Sequence, residues 1–477
     1  MKIDLEAYQD KYHQKGKYVD NWQAGISLLP FTSSNASAYN KNCGLHGTTG
    51  EFFRLWENDG TSPITDFKAT AVGLVRNYLI DEGQMSEEQV KEFVMMMEDI
   101  MLVNGNLNIT DSSFLKYLPL VPNDERITEP FRGYYKNGQS KMGLFVYSML
   151  SDSMQYVPHK QSTNLFSKIL QEALSSGVRV PRTKPNMKFY ILPYIRESFG
   201  KDLKWLMEQE EAVKVKYIHL LLYFYACYAV MQAIININQK SRSAQEGPQP
   251  MFCILAQETA SVSHDAISRG WAHYVPTKSL DRLYGRSQAL DIANCVLNGN
   301  VGFYADVLER LTETPFEENK ALCDELLTRY QTEKRAALLA RKSERHIAED
   351  FSEKVFNVQS YEEFLQSLEQ LCVELQSPSY TSRMRKKVND MLGVRLLQNR
   401  RRSGYVLALD NEMLTFLIAL FTQSNKTKLE DMYRKFNSYG IHFNRESRLA
   451  IEEYLLKLNL LDRKSDSGEA QYVTVIL

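Results

Sequence analysis

Residues 217–239 read YIHLLLYFYACYAVMQAIININQ and contain no Asp, Glu, Lys or Arg. An apolar segment of this length is long enough to cross a membrane. Polar side chains argue against a span: His219, Gln232, Asn236 and the tyrosines Tyr217, Tyr223, Tyr225 and Tyr228. Apolar helices that are wrapped on all sides also occur at the centre of large α-helical domains. We therefore predict a buried central helix and no membrane span.

The composition around this segment is that of a globular protein. Of 477 residues, 44% are apolar and 24% are charged, which excludes disordered and collagenous classes and predicts about two to four domains. Because the net charge is −1, any binding of nucleic acid must come from a local patch of basic residues. The N-terminal sequence lacks the apolar core of a secretion signal, which predicts a cytoplasmic protein. The six cysteines form no C-x-x-C pair, which excludes zinc ribbons and thioredoxin-type sites.

The stretch after the apolar segment, SRSAQEGPQP at residues 241–250, has the composition of a linker. We therefore predict a mainly α, multi-domain protein with a helical domain at 1–240, a middle helical region at 251–403 and a C-terminal module at 404–477. In the first domain, residues 30–50 are expected to form a loop before a helix opening at Glu51, and Ser86 and Gln89 to form a capping box.

In the middle region, residues 308–350 predict a long charged helix, either solvated or docking a partner subunit. A second amphipathic helix is predicted from Tyr361 to Leu375.

A basic stretch closes the middle region. Residues 383–402 include eight basic residues and one acidic residue, which is a local excess of seven positive charges. Clustered Arg and Lys release counterions from phosphates, so such a stretch predicts contact with double-stranded DNA. The alternative is a solvated face, or one that meets an acidic partner. The predicted DNA-contacting residues here are Arg383, Arg385, Lys386, Lys387, Arg395, Arg400, Arg401 and Arg402.

The C-terminal module shows three helical patterns followed by two short strands, at 460–463 and 471–476. Thr427 and Glu430 form the pattern of a capping box, Gly440 is placed to turn the chain, and Asn444 to cap the third helix. Three helices and a hairpin in this order predict a winged-helix-like module, whose third helix enters the major groove. The DNA contacts would be Arg445, Arg448, Arg463 and Lys464. Acidic neighbours leave protein docking open as the alternative.

The end of the chain resembles the DptG (DndG) family, the G component of the DNA phosphorothioation-dependent restriction system. The resemblance covers about 70 residues and is carried by Leu460, Leu461, Lys464, Ser465, Asp466, Ser467, Gly468, Ala470, Gln471, Tyr472 and Val473. It implies a bacterial antiphage complex that attacks DNA lacking a sulfur mark on its backbone. It also implies that the companion components DptF and DptH perform the ATP-driven and nuclease-like work, and that the G component is not catalytic.

No motif for chemistry stands out in the chain. There is no Walker A sequence, and Gly44, Gly47 and Gly50 lack the lysine of a phosphate loop, so they predict a flexible loop. Cys43 and His46 are too few ligands for zinc. The sets Asp306, Glu318 and Lys320, and Ser261, Ser263, His264 and Asp265, are more typical of charged or helix-opening segments than of a nuclease or hydrolase. We expect no cofactor and no metal, with a pure scaffold or a cryptic metal-dependent nuclease as the alternatives.

Overall fold

The structure is a computed structural model. It describes residues 2–19, 26–31, 44–58, 60–64, 67–103, 106–107, 109, 111–129, 131–150, 165–177, 188–256, 264–274, 277–298, 301–400, 404–463 and 471–474. Within these residues the fold is mainly α, as predicted, with twenty α-helices and several short strands.

The described part of the first 240 residues contains eight α-helices, one 3-10 helix and six two-residue strands. The elements are α1 (Leu5–Tyr12), β1 (His13–Gln14), β2 (Lys17–Tyr18), β3 (Ile26–Ser27), α2 (His46–Glu57), α3 (Phe67–Asp81), α4 (Glu87–Met101), β4 (Leu102–Val103), β5 (Asn106–Leu107), a 3-10 helix (Ser112–Tyr117), α5 (Phe131–Tyr147), α6 (Leu165–Gly177), β6 (Lys188–Phe189), α7 (Pro193–Met207) and α8 (Glu211–Gln239).

The remaining elements are α9 (Ser243–Glu246), β7 (Met251–Leu255), α10 (His264–Ser268), α11 (Trp271–Tyr274), α12 (Thr277–Val296), α13 (Tyr304–Thr312), α14 (Phe316–Leu339), α15 (Arg345–Asp350), α16 (Tyr361–Glu374), α17 (Pro378–Leu392), β8 (Leu397–Asn399), β9 (Tyr405–Leu409), α18 (Asn411–Thr422), β10 (Thr427–Lys428), α19 (Leu429–Ser438), β11 (Ile441–Phe443), α20 (Arg445–Lys457), β12 (Leu461–Arg463) and β13 (Gln471–Val473).

Helix α8 contains the apolar segment and lies at the centre of the main core. In the described residues it is the one helix long and apolar enough to cross a membrane, but 94% of its most apolar window is buried inside the protein. Two of its buried tyrosine hydroxyls have internal hydrogen-bond partners. Tyr223 donates to the Met391 carbonyl oxygen at 2.9 Å, and Tyr225 donates to the Asp202 carboxylate at 2.6 Å. The prediction of a buried central helix is confirmed.

A second, smaller core belongs to helices α3, α4 and α6. Val75, Val90, Val94 and Leu170 are among its buried residues. The capping box in front of α4 is confirmed, because the Ser86 amide donates to Gln89 Oε1 at 3.0 Å. Met97 faces this core, whereas Met95 is exposed.

Several predicted boundaries are wrong. Helix α2 begins at His46 rather than at Glu51. Gly47 and Gly50 therefore lie inside a helix, where their bare backbone packs against residues Leu118 and Leu120, and do not form a flexible loop. The long charged helix is divided into α13, α14 and α15, with Pro315 as the N-cap of α14. Cys43, Ser261 and Ser263 lie outside the described residues.

Helix α14 also differs from the solvated helix that its charges predict. Cys323, Leu326, Leu327 and Tyr330 are fully buried along one face, and α14 packs on α15 and α16. Most of its charged residues lie on the outer face, as in an ordinary amphipathic helix, but Lys334 is buried, with its ammonium group 5.9 Å from the centre of the Tyr18 ring. The amphipathic helix predicted at 361–375 is confirmed as α16, and the Ser360 side chain caps its first turn.

A four-stranded sheet joins distant parts of the chain in the order β11-β7-β9-β8. Strands β11, β7 and β9 are parallel, and β8 pairs with β9 in the antiparallel sense. Residues 241–250, predicted as a linker, pack on α8: Asn236 donates to the Ala244 carbonyl oxygen at 3.1 Å, and the Gln249 amide donates to Gln232 at 3.1 Å. The main core takes residues from all three predicted regions.

The C-terminal module has the predicted three helices, α18, α19 and α20, and the predicted hairpin of β12 and β13. Asn444 caps α20 through the Ser447 amide, and Gly440 adopts a positive φ of 73°, both as predicted. The capping box at Thr427 and Glu430 is wrong, because Thr427 lies in β10 and Lys428 is the N-cap of α19 without a side-chain bond. Strand β10 pairs with β13, which gives a three-stranded sheet in the order β10-β13-β12.

Candidate nucleic-acid interface

The basic stretch lies on α17, on the loop after it and on β8. Helix α17 carries four of the predicted DNA-contacting residues, because Pro378 is pre-organised for the first turn of a helix and Met384, Val388, Met391 and Leu392 supply a buried face. Arg395 lies between α17 and β8, and Arg400 follows β8. Arg401 and Arg402 lie outside the described residues.

Acidic side chains from other elements partly neutralise this stretch. Arg385 forms an ion pair with Asp281 of α12 at 2.6 Å. Arg395 bridges Asp410 at 3.0 Å and Glu412 at 2.8 Å, both at the start of α18. These three acids lie outside residues 383–402, so the excess of +7 counted along the sequence overstates the charge that the folded surface presents.

Three more of the described basic side chains in the stretch also have partners. Lys386 pairs with Asp390 on its own helix at 2.7 Å. The Arg383 guanidinium lies 5.9 Å from the centre of the Tyr380 ring. Arg400 donates to the Ala256 carbonyl oxygen at 3.0 Å. Surface pairs of this kind are weak and exchange readily, so Lys386, which is 70% exposed, remains able to meet a phosphate.

Lys387 differs from its neighbours because its side chain faces inward. It is only 5% exposed. Burial, followed by the positive charges of Lys141 and Arg383, lowers the pKa of Lys387 to about 7. Burial disfavours the charged form of an amine, which is the form that binds phosphate. The expectation that Lys387 contacts DNA at the surface does not fit this position.

The C-terminal module exposes basic residues at the start of α20. Arg445 is exposed directly after the Asn444 cap. The Arg448 guanidinium lies 4.5 Å from the centre of the Tyr433 ring and 3.8 Å from the Glu430 carboxylate. Arg463 belongs to β12, where its backbone pairs with Gln471, and Lys464 lies outside the described residues.

Helix α20 also has an exposed apolar side. Leu449 and Leu456 lie two turns apart and are 56% and 38% exposed, and Leu458 just beyond the helix is 45% exposed. Isolated exposed leucines are ordinary, but residues spaced by seven lie on one face of a helix. This side of α20 is suited to contact with another protein.

Two basic residues that the sequence did not single out lie beside α20. Arg269 follows α10, and His442 is in β11. Burial lowers the pKa of His442, and so do the nearby charges of Arg448 and Arg269. No local sequence signal could have grouped Arg269 with Arg448, because nearly 180 residues separate them along the chain.

An open crevice lies beyond the carboxyl ends of β7 and β9. It has a volume of about 500 Å³ and is lined by Ala256, Arg395, Asp410, Asn411 and Glu412. Open α/β sheets often bind ligands at this edge. Among the described residues that line it, one arginine lies beside two carboxylates that already bind it, so these residues offer no cationic group in excess for an anionic ligand.

In the residue sets that the sequence analysis assigned to charged or helix-opening segments, the described side chains have structural partners. Asp306 accepts hydrogen bonds from the Phe303 amide at 2.9 Å and from Arg242 at 2.6 Å, and so acts as the cap of α13. Lys320 donates to Gln359. His264 and Asp265 open α10, as expected. In the part of the chain that the structure describes, no three His, Cys, Asp or Glu side chains are grouped closely enough to hold a metal ion.

Comparison with known proteins adds no assignment. No protein-family model matches the chain, and no curated protein matches it.

Proposed function

We propose that this chain is a non-catalytic, DNA-contacting subunit of a restriction complex, and that it meets double-stranded DNA through the C-terminal module. The observation that carries this proposal is the arrangement of α18, α19 and α20 followed by the β12–β13 hairpin. Three helices and a hairpin in this order are the plan of a winged helix. Strand β10, between the first two helices, completes a sheet with the hairpin.

The electrostatics of α20 support this proposal in part. In helix-turn-helix proteins the N-terminal end of the last helix enters the major groove, and arginine side chains and helix N-termini also contact the neighbouring phosphates. Arg445 and Arg448 occupy the first turn of α20. Glu446, Glu452 and Glu453 share the helix and would repel phosphate, so we expect moderate affinity that falls steeply with salt.

The assignment to a particular complex rests on the resemblance of the C-terminal segment to the DptG family. We propose on that basis a cytoplasmic bacterial complex that attacks DNA without phosphorothioate marks. DptF and DptH would be the partners that perform ATP-driven and nuclease-like work. This chain would connect them and help to hold the DNA.

The test is a titration of the purified chain with a labelled duplex at 50 and 200 mM salt. Replacing Arg445 and Arg448 by Gln should remove two phosphate contacts and reduce the salt slope by about 1.8, so that the ratio of affinities at the two salt concentrations falls about 12-fold. The matched control replaces Arg345 and Lys354, which lie in ion pairs far along the chain from the module. Absence of binding by the wild-type chain at 50 mM salt would refute DNA contact.

The same titration with a duplex that carries phosphorothioate groups addresses the sensing of the mark. A lower affinity for the modified duplex would make this subunit a sensor. Equal affinities would place discrimination in a companion component.

The exposed apolar side of α20 favours one second function, that of a pure protein scaffold. In that case Leu449→Asp with Leu456→Asp would abolish assembly with a companion component, and the wild-type complex would form without DNA. Loss of DNA binding with intact assembly after the arginine substitutions would instead favour the DNA-contacting function.

A further inference from the structure

Four side chains from two segments that are far apart in the chain, residues 252–269 and 442–448, form a cluster beside the first turn of α20. Phe252 of β7 is paired in register with His442 of β11, so both side chains lie on the same face of the sheet. Their rings are 5.7 Å apart. The Arg269 guanidinium lies 4.1 Å from the centre of the Phe252 ring. With Arg448 of α20, these residues are called the Phe252 cluster below.

The two guanidinium groups of the Phe252 cluster are held before any ligand arrives. Arg269 stacks on Phe252 and pairs with Asp265 one turn earlier at 2.8 Å. The turn that carries Arg269 is hydrogen-bonded to β7, because the Phe252 amide donates to the Arg269 carbonyl oxygen at 3.4 Å. Arg448 stacks on Tyr433, which donates to the Arg448 carbonyl oxygen at 3.2 Å. Stacking fixes the plane of a guanidinium while its N–H groups stay free to donate.

Each arginine of the Phe252 cluster is paired with one carboxylate at the surface, Arg269 with Asp265 and Arg448 with Glu430. Arg269 and Arg448 both act on His442 and lower its pKa, an effect that is added to that of burial. The acidic neighbours are peripheral: Glu430 is 3.8 Å from Arg448 and its side chain is 69% exposed. The Arg269 side chain is 56% exposed despite its pair with Asp265. Exposed pairs are weak, so a phosphate can replace these carboxylates.

We propose that Arg269, His442 and Arg448 bind one backbone phosphate of the duplex next to α20. This inference rests on the proposed function and adds to it a contact from outside the C-terminal module. Arginine suits this role because its planar fork matches two phosphate oxygens. Contacts to phosphate set the register of a protein on DNA without reading sequence. The contact also gives α10 and β7 a part in DNA binding, although the basic stretch does not include them.

The experiment compares Arg269→Gln and His442→Gln with wild type in duplex titrations at 50 and 200 mM salt. Loss of the phosphate contact in Arg269→Gln should reduce the salt slope by about 0.9, which lowers the ratio of affinities at the two salt concentrations about 3.5-fold. The loss should be equal on duplexes of unrelated sequence, because phosphate carries no sequence information. His442→Gln should weaken binding in the same sequence-independent way.

Arg345→Gln is the matched control, because Arg345 also forms an exposed pair with an acid four residues away on a helix. It should leave the slope unchanged. Arg269→Gln and His442→Gln could both keep the wild-type salt slope and affinity while the Arg445 and Arg448 variant loses them. That result would overturn phosphate binding by the Phe252 cluster and leave the proposed function intact. Absence of wild-type binding would overturn both. Thermal unfolding of each variant checks that Arg269→Gln remains folded, and Arg269→Lys should recover part of the slope.

Discussion

The carboxyl group of Asp202 should make the stability of this protein depend on pH in a way that a single substitution removes. Asp202 lies on α7 and is 2% exposed. Its Oδ2 accepts hydrogen bonds from Tyr225 of α8 at 2.6 Å and from Tyr439 at 2.9 Å. Tyr439 follows α19 and stacks on Phe421 of α18 at 4.0 Å. The carboxyl group therefore connects the C-terminal module to the central helices.

Burial raises the pKa of Asp202 from 3.8 to about 6, although the hydrogen bonds from the two tyrosines oppose the rise. The folded protein thus binds this proton more tightly than the unfolded chain does. The stabilisation is complete below pH 3.8 and is lost as the pH rises through about 6, and in total it amounts to about 3 kcal/mol. Between pH 4.5 and 7.5 the loss should be about 2 kcal/mol.

Asp202→Asn removes this titration because the amide stays neutral. Urea unfolding of both proteins, followed by circular dichroism at several pH values from 4.5 to 7.5, separates this group from all other carboxyl groups. The free energy of unfolding of wild type minus that of Asp202→Asn should fall by about 2 kcal/mol over that range. Parallel pH profiles would refute the reasoning. Tyr439→Phe removes a donor to the carboxylate, so it should move the loss to higher pH, and a move to lower pH would contradict the assigned cause.

Three further substitutions test single contacts. Gly47→Ala should lower the free energy of unfolding by about 1 to 3 kcal/mol, because a methyl group there overlaps a backbone carbonyl. In the control Gly133→Ala the new methyl group meets nothing within 4 Å, so the free energy of unfolding should rise by about 0.4 to 1 kcal/mol. Equal effects of the two substitutions in urea unfolding would contradict the packing of α2. Asn444→Ala removes the cap of α20 and should cost about 1 kcal/mol, with faster hydrogen exchange in the first turn of that helix. Lys11→Met leaves the Asp291 carboxylate buried without the ammonium group that lies 2.8 Å from it, and should lower the free energy of unfolding by about 3 to 5 kcal/mol. If the unpaired charge is the cause, adding Asp291→Asn should restore much of that loss in the double variant.

The central helix could be predicted from sequence because its evidence is local. A run without charge, from Tyr217 to Gln239, can be stable in water only when it is covered on all sides. The same sequence could not reveal what covers it. Helices α2, α5, α7, α12 and α18 pack on α8, and they come from all parts of the chain.

The four-stranded sheet could not be predicted in the same way. Strand β11 has three residues and β7 has five, which is too short for a reliable alternation of apolar and polar positions. Pairing Met251 with Ile441 also joins residues 190 positions apart. The chain must close that long loop before the hydrogen bonds form, and no local pattern records such a pairing.

The predicted DNA interface also has a part that local sequence signals reveal and a part that they do not. The sequence identified Arg445 and Arg448 correctly as neighbours on the first turn of a helix, because helical spacing and the Asn444 cap are local signals. It could not reveal that Asp281 and Asp410 lie beside the basic stretch, nor that Lys387 faces inward. A charge count along the chain includes only residues that are close in sequence. The electrostatic energy of a bound phosphate depends on all charges that are close in space.

By itself, the sequence determined the helical class, the buried central helix, the capping box at the start of α4, the amphipathic helix α16, and the order of helices and hairpin in the C-terminal module. Each of these follows from periodicity, capping and turn chemistry within a window of a few residues. Only the tertiary structure decided which basic side chains are paired, which are buried and which combine into the Phe252 cluster. Electrostatic energy depends on distance and solvent exposure, and both are set by packing between segments that are far apart in the chain.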